Sequence, residues 1–174
     1  DVNNHTITLS GNLAFQTGGR QISWGTDGTL IQNGNVGNWQ IDADITGFNN
    51  LYLQGGYSKI MYSNLAISGN LTVESGIYLN MQGYTMTGQA GKTFSLYGSA
   101  RVYASAASPA QAFPSGFGTY SLSATSEVYY NGANTIDQVF FSKPTYGNVY
   151  FSNSNRTITS DGLFDMTVYG NLDF

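Results

Sequence analysis

The sequence predicts an all-β chain built by stacking short strands, a parallel β-helix, and three observations carry that reading. A phrase occurs twice. Phe48-Asn49-Asn50-Leu51-Tyr52-Leu53, followed by Ala66-Ile67-Ser68-Gly69-Asn70-Leu71-Thr72-Val73, is answered by Tyr146-Gly147-Asn148-Val149-Tyr150-Phe151 and Thr167-Val168-Tyr169-Gly170-Asn171-Leu172-Asp173-Phe174. The first halves are 98 residues apart (146 − 48) and the second halves 101 (167 − 66), the spacing of a chain that buries its core by repetition. Apolar and polar residues also alternate in short runs, the period of a half-buried strand. Finally, helical spacing of Leu, Glu, Lys and Arg is nearly absent, and 22 glycines punctuate the chain.

The strand runs follow in order: Thr6-Ile7-Thr8-Leu9, Leu51-Tyr52-Leu53, Asn70-Leu71-Thr72-Val73, Ile77-Tyr78-Leu79, Thr93-Phe94-Ser95-Leu96 and Arg101-Val102-Tyr103. Each is closed by Gly, Asn or Ser, which take a positive φ or hydrogen-bond their own backbone. An antiparallel β-sandwich is the alternative, because Asn33-Gly34 and Asn131-Gly132 suit two-residue hairpins. The repeated phrase, the asparagine richness and the shortness of the runs favour the β-helix, with about seven or eight coils of roughly 20–25 residues. Residues 104–118 repeat least, and Pro109 and Pro114 cannot donate to a ladder. We expect a loop or edge excursion there and a module boundary. The repeat spacing suggests a module of about 100 residues, several coils long. Residues 1–174 thus read as a single β-solenoid segment, a processed or excised piece of a longer repeat protein.

Composition narrows the function. Charged residues make up 9%, against roughly a quarter in ordinary soluble domains. A net charge of −4 with six scattered basic residues argues against nucleic acid, which needs clustered Lys and Arg. The absence of cysteine excludes disulfides, thiolate nucleophiles and thiolate zinc sites. No apolar run approaches the roughly 20 residues that span a bilayer as a helix, so no direct membrane insertion is expected.

Two stretches resemble a known family. Phe113-Pro114-Ser115-Gly116-Phe117-Gly118-Thr119-Tyr120, Ser126-Glu127-Val128-Tyr129-Tyr130-Asn131-Gly132, Gln138-Val139, Tyr146-Gly147-Asn148-Val149 and Gly170-Asn171-Leu172 carry the resemblance, together with Asn64 to Val73 and Gly83 to Gly88. They resemble the adhesin-like β-solenoid repeats of large Bacteroidetes surface proteins exported by type IX secretion. The resemblance covers about two-thirds of the chain and departs between Phe15 and Ile45, where Trp24 and Trp39 stand. It implies a right-handed parallel β-helix at the bacterial cell surface, a stalk or adhesive role, and no catalytic residues. Glycans, a secretion or surface-anchoring protein and neighbouring repeats of the same chain are the expected partners.

The residues offer little independent chemistry. Gly88-Gln89-Ala90-Gly91-Lys92-Thr93 ends like a phosphate loop, but Met86 stands where the second glycine belongs, and no helix pattern follows. His5 is the single histidine, and no nucleophile elbow accompanies it. Asp42 and Asp44 share a strand face. Calcium needs six to eight oxygens and only Asp27 lies near, so this pair is the nearest approach to a metal site and none is expected. Thr6-Ile7-Thr8, Thr85-Met86-Thr87 and Thr157-Ile158-Thr159 are too far apart for a regular threonine array. Aromatics reach 14%, and Trp24, Trp39, Tyr52, Tyr57, Tyr62 and Tyr150 are the candidate ligand contacts, because exposed rings beside amides suit sugars. The expectation is a non-catalytic, cofactor-free stalk or adhesin segment. Alternatives are a carbohydrate-binding module using these rings or, more remotely, a polysaccharide-degrading β-helix enzyme.

Overall fold

The computed structural model describes residues 4–11, 25–34, 39–41, 47–104, 113–131, 138–140, 143–151, 158–160 and 165–174. Among them lie β1 (Thr6–Leu9), β2 (Thr29–Gln32), β3 (Trp39–Ile41), β4 (Gly47–Phe48), β5 (Asn50–Leu53), β6 (Tyr57–Met61) and β7 (Leu65–Ile67). β8 (Leu71–Val73), β9 (Ile77–Asn80), β10 (Met86–Thr87), β11 (Thr93–Leu96), β12 (Arg101–Ala104), β13 (Thr119–Leu122) and β14 (Glu127–Tyr130) follow. β15 (Gln138–Phe140), β16 (Thr145–Tyr146), β17 (Asn148–Phe151), β18 (Ile158–Ser160), β19 (Thr167–Val168) and β20 (Leu172–Asp173) complete the series.

Every pairing among these strands is parallel. The chain is therefore a β-solenoid, and the antiparallel sandwich is excluded. Asn33-Gly34 makes no hairpin; it leads from β2 to β3, which belong to different sheets. The first sheet runs β1-β2-β5-β8-β11-β13, the second β3-β6-β9-β12-β14-β17-β20 and the third β4-β7-β10. β15 pairs with β18, and β16 with β19. The second sheet is seven strands deep, and about five turns close.

Alternation places one set of side chains inside, and parallel register stacks that set into columns. In the first sheet Leu30, Leu51, Leu71 and Phe94 form one buried column, and Leu53, Val73 and Leu96 another. In the second, Leu79, Val102, Val128 and Val149 stack. The core changes character along the axis, from aliphatic to aromatic. Tyr130 stacks on Phe151 at 5.2 Å and Phe151 on Phe174 at 5.5 Å. The buried Tyr130 and Tyr146 hydroxyls satisfy each other at 2.8 Å.

Residues 113–118 are part of this wall. Ser115 bridges to Thr87 in parallel, while Phe113 and Phe117 are buried against Phe94. The described half of the expected excursion is thus the rung after β10. Gly88 makes this fit, because a Cβ there would stand 2.5 Å from the Phe117 ring.

The repeated phrase is a corner. Its two halves are successive rungs that pair with each other, Leu51 with Leu71 and Val149 with Leu172. In the first copy Ser68 N–H donates to Phe48 O, Gly69 N–H to Asn49 O and Leu51 N–H to Asn70 O. Asn70 N–H donates to Asn50 Oδ1 at 2.8 Å. The second copy repeats these four bonds with Tyr169 to Tyr146, Gly170 to Gly147, Val149 to Asn171, and Asn171 N–H to Asn148 Oδ1 at 2.9 Å. Asn64 and Asn70 also accept the next rung's amide, from Thr85 and Thr93. The first copy borders the first sheet and the second copy the second sheet. The shared wording marks one corner geometry on two faces, not a translation of a hundred-residue unit onto the same face.

Lys59 departs from the pattern. It occupies the inward column of the second sheet, in register with Leu79, and is fully buried. Its ammonium donates to Gly34 O at 3.1 Å, and burial lowers its pKa from 10.5. Gln32, also fully buried, donates to Gly11 O at 2.9 Å, while its Oε1 has no partner among the described residues.

Two predictions follow from this packing. An alanine Cβ at Gly69 or Gly170 would stand 2.3 Å from the asparagine Oδ1 below it. Gly69→Ala and Gly170→Ala should each cost about 1–3 kcal/mol in denaturant unfolding. Gly11→Ala, with open space around it, should stay within about 0.5 kcal/mol. A lowered lysine pKa means that the unfolded chain binds the proton more readily. The penalty is therefore complete below the folded pKa and fades as pH rises toward 10.5. Lys59→Met should stabilise the chain at pH 7, and its advantage over wild type should shrink on approach to pH 10.5; a gain independent of pH would contradict this account.

Candidate functional site

Outward residues form columns as regular as those inside, and on the second sheet they meet in a groove of about 460 Å³ lined by Ser58, Tyr78, Asn80, Arg101 and Asn131. Ser58, Tyr78, Arg101, Glu127 and Asn148 share one outward register. The Arg101 guanidinium lies 4.9 Å from the centre of the Tyr78 ring and forms an ion pair with Glu127. Tyr129 donates to the same Glu127 at 2.9 Å and stacks on Tyr150 at 4.6 Å, with an interplanar angle of 12°. Desolvation, reinforced by the hydrogen bond to Glu127, raises the Tyr129 phenol to about 12. These groups are largely spent on one another. Their chemistry is that of a cross-strand brace.

A second groove, of about 420 Å³, lies at the far end of the first sheet and is differently made. β13 contributes Thr119 and Ser121, the segment entering β16 contributes Lys143, β16 itself contributes Thr145, and Tyr169 follows β19. β16 lies beside β13 and pairs with β19, so these groups come from three neighbouring rungs. The Lys143 ammonium donates to Phe117 O at 2.8 Å and sits 5.5 Å from the centre of the Tyr120 ring. Tyr169 is 72% exposed.

Of the ligand contacts expected from sequence, the described tyrosines are divided between the first and second sheets and the turn beyond β6. Trp24, Asp42 and Asp44 lie outside the described residues, and Trp39 is described only as the first residue of β3. Tyr52 stands on the outer face of the first sheet, where its hydroxyl donates to Glu74. That hydrogen bond, with desolvation, raises its pKa to about 12. Tyr57 is exposed at the start of β6 with φ of 65°, and Tyr62 is exposed just beyond that strand. Tyr150 belongs to the second-sheet brace.

Sequence reading missed Tyr78, Arg101, Lys143 and Tyr169. Their grouping depends on turn lengths, and no local motif records it. His5 is exposed beside β1, and Gly88 to Thr93 form a turn leading into β11. The Thr6 and Thr8 pair occupies outward positions of β1. Among the described residues there is no group of three His, Cys, Asp or Glu able to hold a metal ion, and no helix is long and apolar enough to cross a membrane. Comparisons with family models, curated proteins and solved structures give no match.

Both phenols keep their protons in the folded chain above the ordinary value of 10. Their contribution to stability is therefore complete below pH 10 and is lost as pH rises through about 12. Phenolate absorbance should show Tyr52 and Tyr129 among the late-titrating tyrosines. Glu74→Gln should return Tyr52 toward 10 and flatten part of the stability loss between pH 10 and 12; an unchanged titration would refute the assigned cause.

Proposed function

We propose that this chain is a non-catalytic segment of a secreted bacterial cell-surface protein, a stiff stalk that also makes multivalent adhesive contacts. The observation that carries this reading is the unbroken succession of parallel rungs, cornered by side-chain hydrogen bonds and filled by stacked columns. A solenoid with nearest-neighbour contacts of this kind resists bending and extends by adding rungs. The wording shared with adhesin-like Bacteroidetes repeats supports an extracellular setting and export by type IX secretion. Weak contacts repeated along such a rod sum by avidity.

Pulling single molecules from both ends tests the mechanical half. Cooperative unfolding of rung groups at sustained force is expected, and smooth extension at low force would overturn it. Protease shaving of producing cells tests the location, with loss of the chain from intact cells expected.

A further inference from the structure

We propose that the groove between β13, β16 and β19 is a subsite for a carboxylate-bearing oligosaccharide, with Lys143 as the group that reads the carboxylate. The proposal deepens the adhesive half of the reading above. It rests on a contrast between the two grooves. On the second sheet Arg101 is neutralised by Glu127, and the Tyr129 and Tyr150 rings cover each other. At the far end of the first sheet the cation meets a backbone carbonyl and a ring, with no carboxylate beside it among the described residues.

Lys143 has no carboxylate partner among the described residues. One of its three protons is held by Phe117 O, and the Tyr120 ring lies beneath it. The ammonium is thereby held in place with two donors left for a ligand, an arrangement that lowers the entropy cost of binding. No hydrogen bond among the described residues engages the side-chain hydroxyls of Thr119, Ser121, Thr145 or Tyr169. The Tyr169 ring, 72% exposed, offers an apolar face. Ring, hydroxyls and one fixed cation match the apolar face, hydroxyls and single carboxylate of an acidic sugar. Three rungs at about 4.8 Å give a site about 10 Å long, the scale of two sugar rings. The overall charge of −4 disfavours a densely anionic ligand and leaves Lys143 to select for one carboxylate at a time.

Calorimetric titration of the whole chain with a galacturonate tetramer, with sialyl-lactose and with a neutral glucose tetramer tests this. A millimolar or tighter Kd for at least one carboxylated sugar is expected, weakening with added salt, and the two acidic probes separate uronate from sialate. Lys143→Met, which keeps the aliphatic packing on Tyr120 but gives up the hydrogen bond to Phe117 O, should weaken that binding about tenfold or more while the chain remains folded at the assay temperature. Tyr169→Ala, at an exposed position, should do the same, while Tyr52→Phe should leave affinity unchanged. Absence of binding to both acidic sugars, equal affinity for the neutral tetramer, or indifference to Lys143→Met would each overturn the proposal. None of these outcomes would touch the mechanical reading, which stands or falls on pulling.

Discussion

The structure depends on a carboxamide at a corner. Strands of two to five residues end before their ladders can grow, and each bend threatens to leave an amide without an acceptor. Asn50, Asn64, Asn70 and Asn148 supply that acceptor to the amide of the next rung, in bonds at the exposed corners worth about 0.5–1.5 kcal/mol each. Each is followed at once by an inward aliphatic residue, Leu51, Leu65, Leu71 or Val149. The bond that closes the corner therefore also sets which residue enters the core. A slip of one residue would reverse inside and outside along the strand and break the carboxamide bond at the same time.

Turn length governs what fills the interior. Early rungs are 19 to 23 residues apart, as between Gly47 and Ala66 or Thr6 and Thr29, whereas Thr93 to Thr119 spans 26 and Thr87 to Ser115 spans 28. The longer turns coincide with the change from Leu, Ile and Val to Phe94, Phe113, Phe117, Tyr130 and Tyr146 in the core. Rings bury more area per residue than aliphatic side chains. Their tilted and edge-on contacts, such as Phe113 on Tyr146 at 5.6 Å, fill space that one aliphatic column would leave open. Lys59 and Gln32 mark the opposite end, where polar groups enter the column and each reaches one backbone carbonyl.

The stacking was legible in the sequence because alternation and the Asn-Leu wording are local. Leu51-Tyr52-Leu53 states its own inside and outside. Tyr129-Tyr130 states only that its two rings part; that Tyr130 is the buried one follows from the rung above, where Phe151 continues its column. The spacing of 98 and 101 residues suggested a large module, yet the repeated unit is the four-bond corner, reused on a second face. The grooves were least legible. Thr119, Lys143 and Tyr169 meet only because successive turns bring β13, β16 and β19 side by side, and turn length is set by segments that carry no signal of their own.

The scarcity of charge ties the two faces together. With 9% charged residues the surface exerts little long-range steering, so a partner is recognised at contact distance. Where rungs present complementary groups, as at Arg101 and Glu127, those groups bind each other and stiffen the rod. Where a rung presents a cation with no acid beside it among the described residues, as at Lys143, the proposed subsite uses that cation for a ligand. In the proposed function, stiffness and adhesion have one physical origin, the fixed register of the rungs. Register decides column by column whether a polar side chain meets its complement within the solenoid or must find it outside.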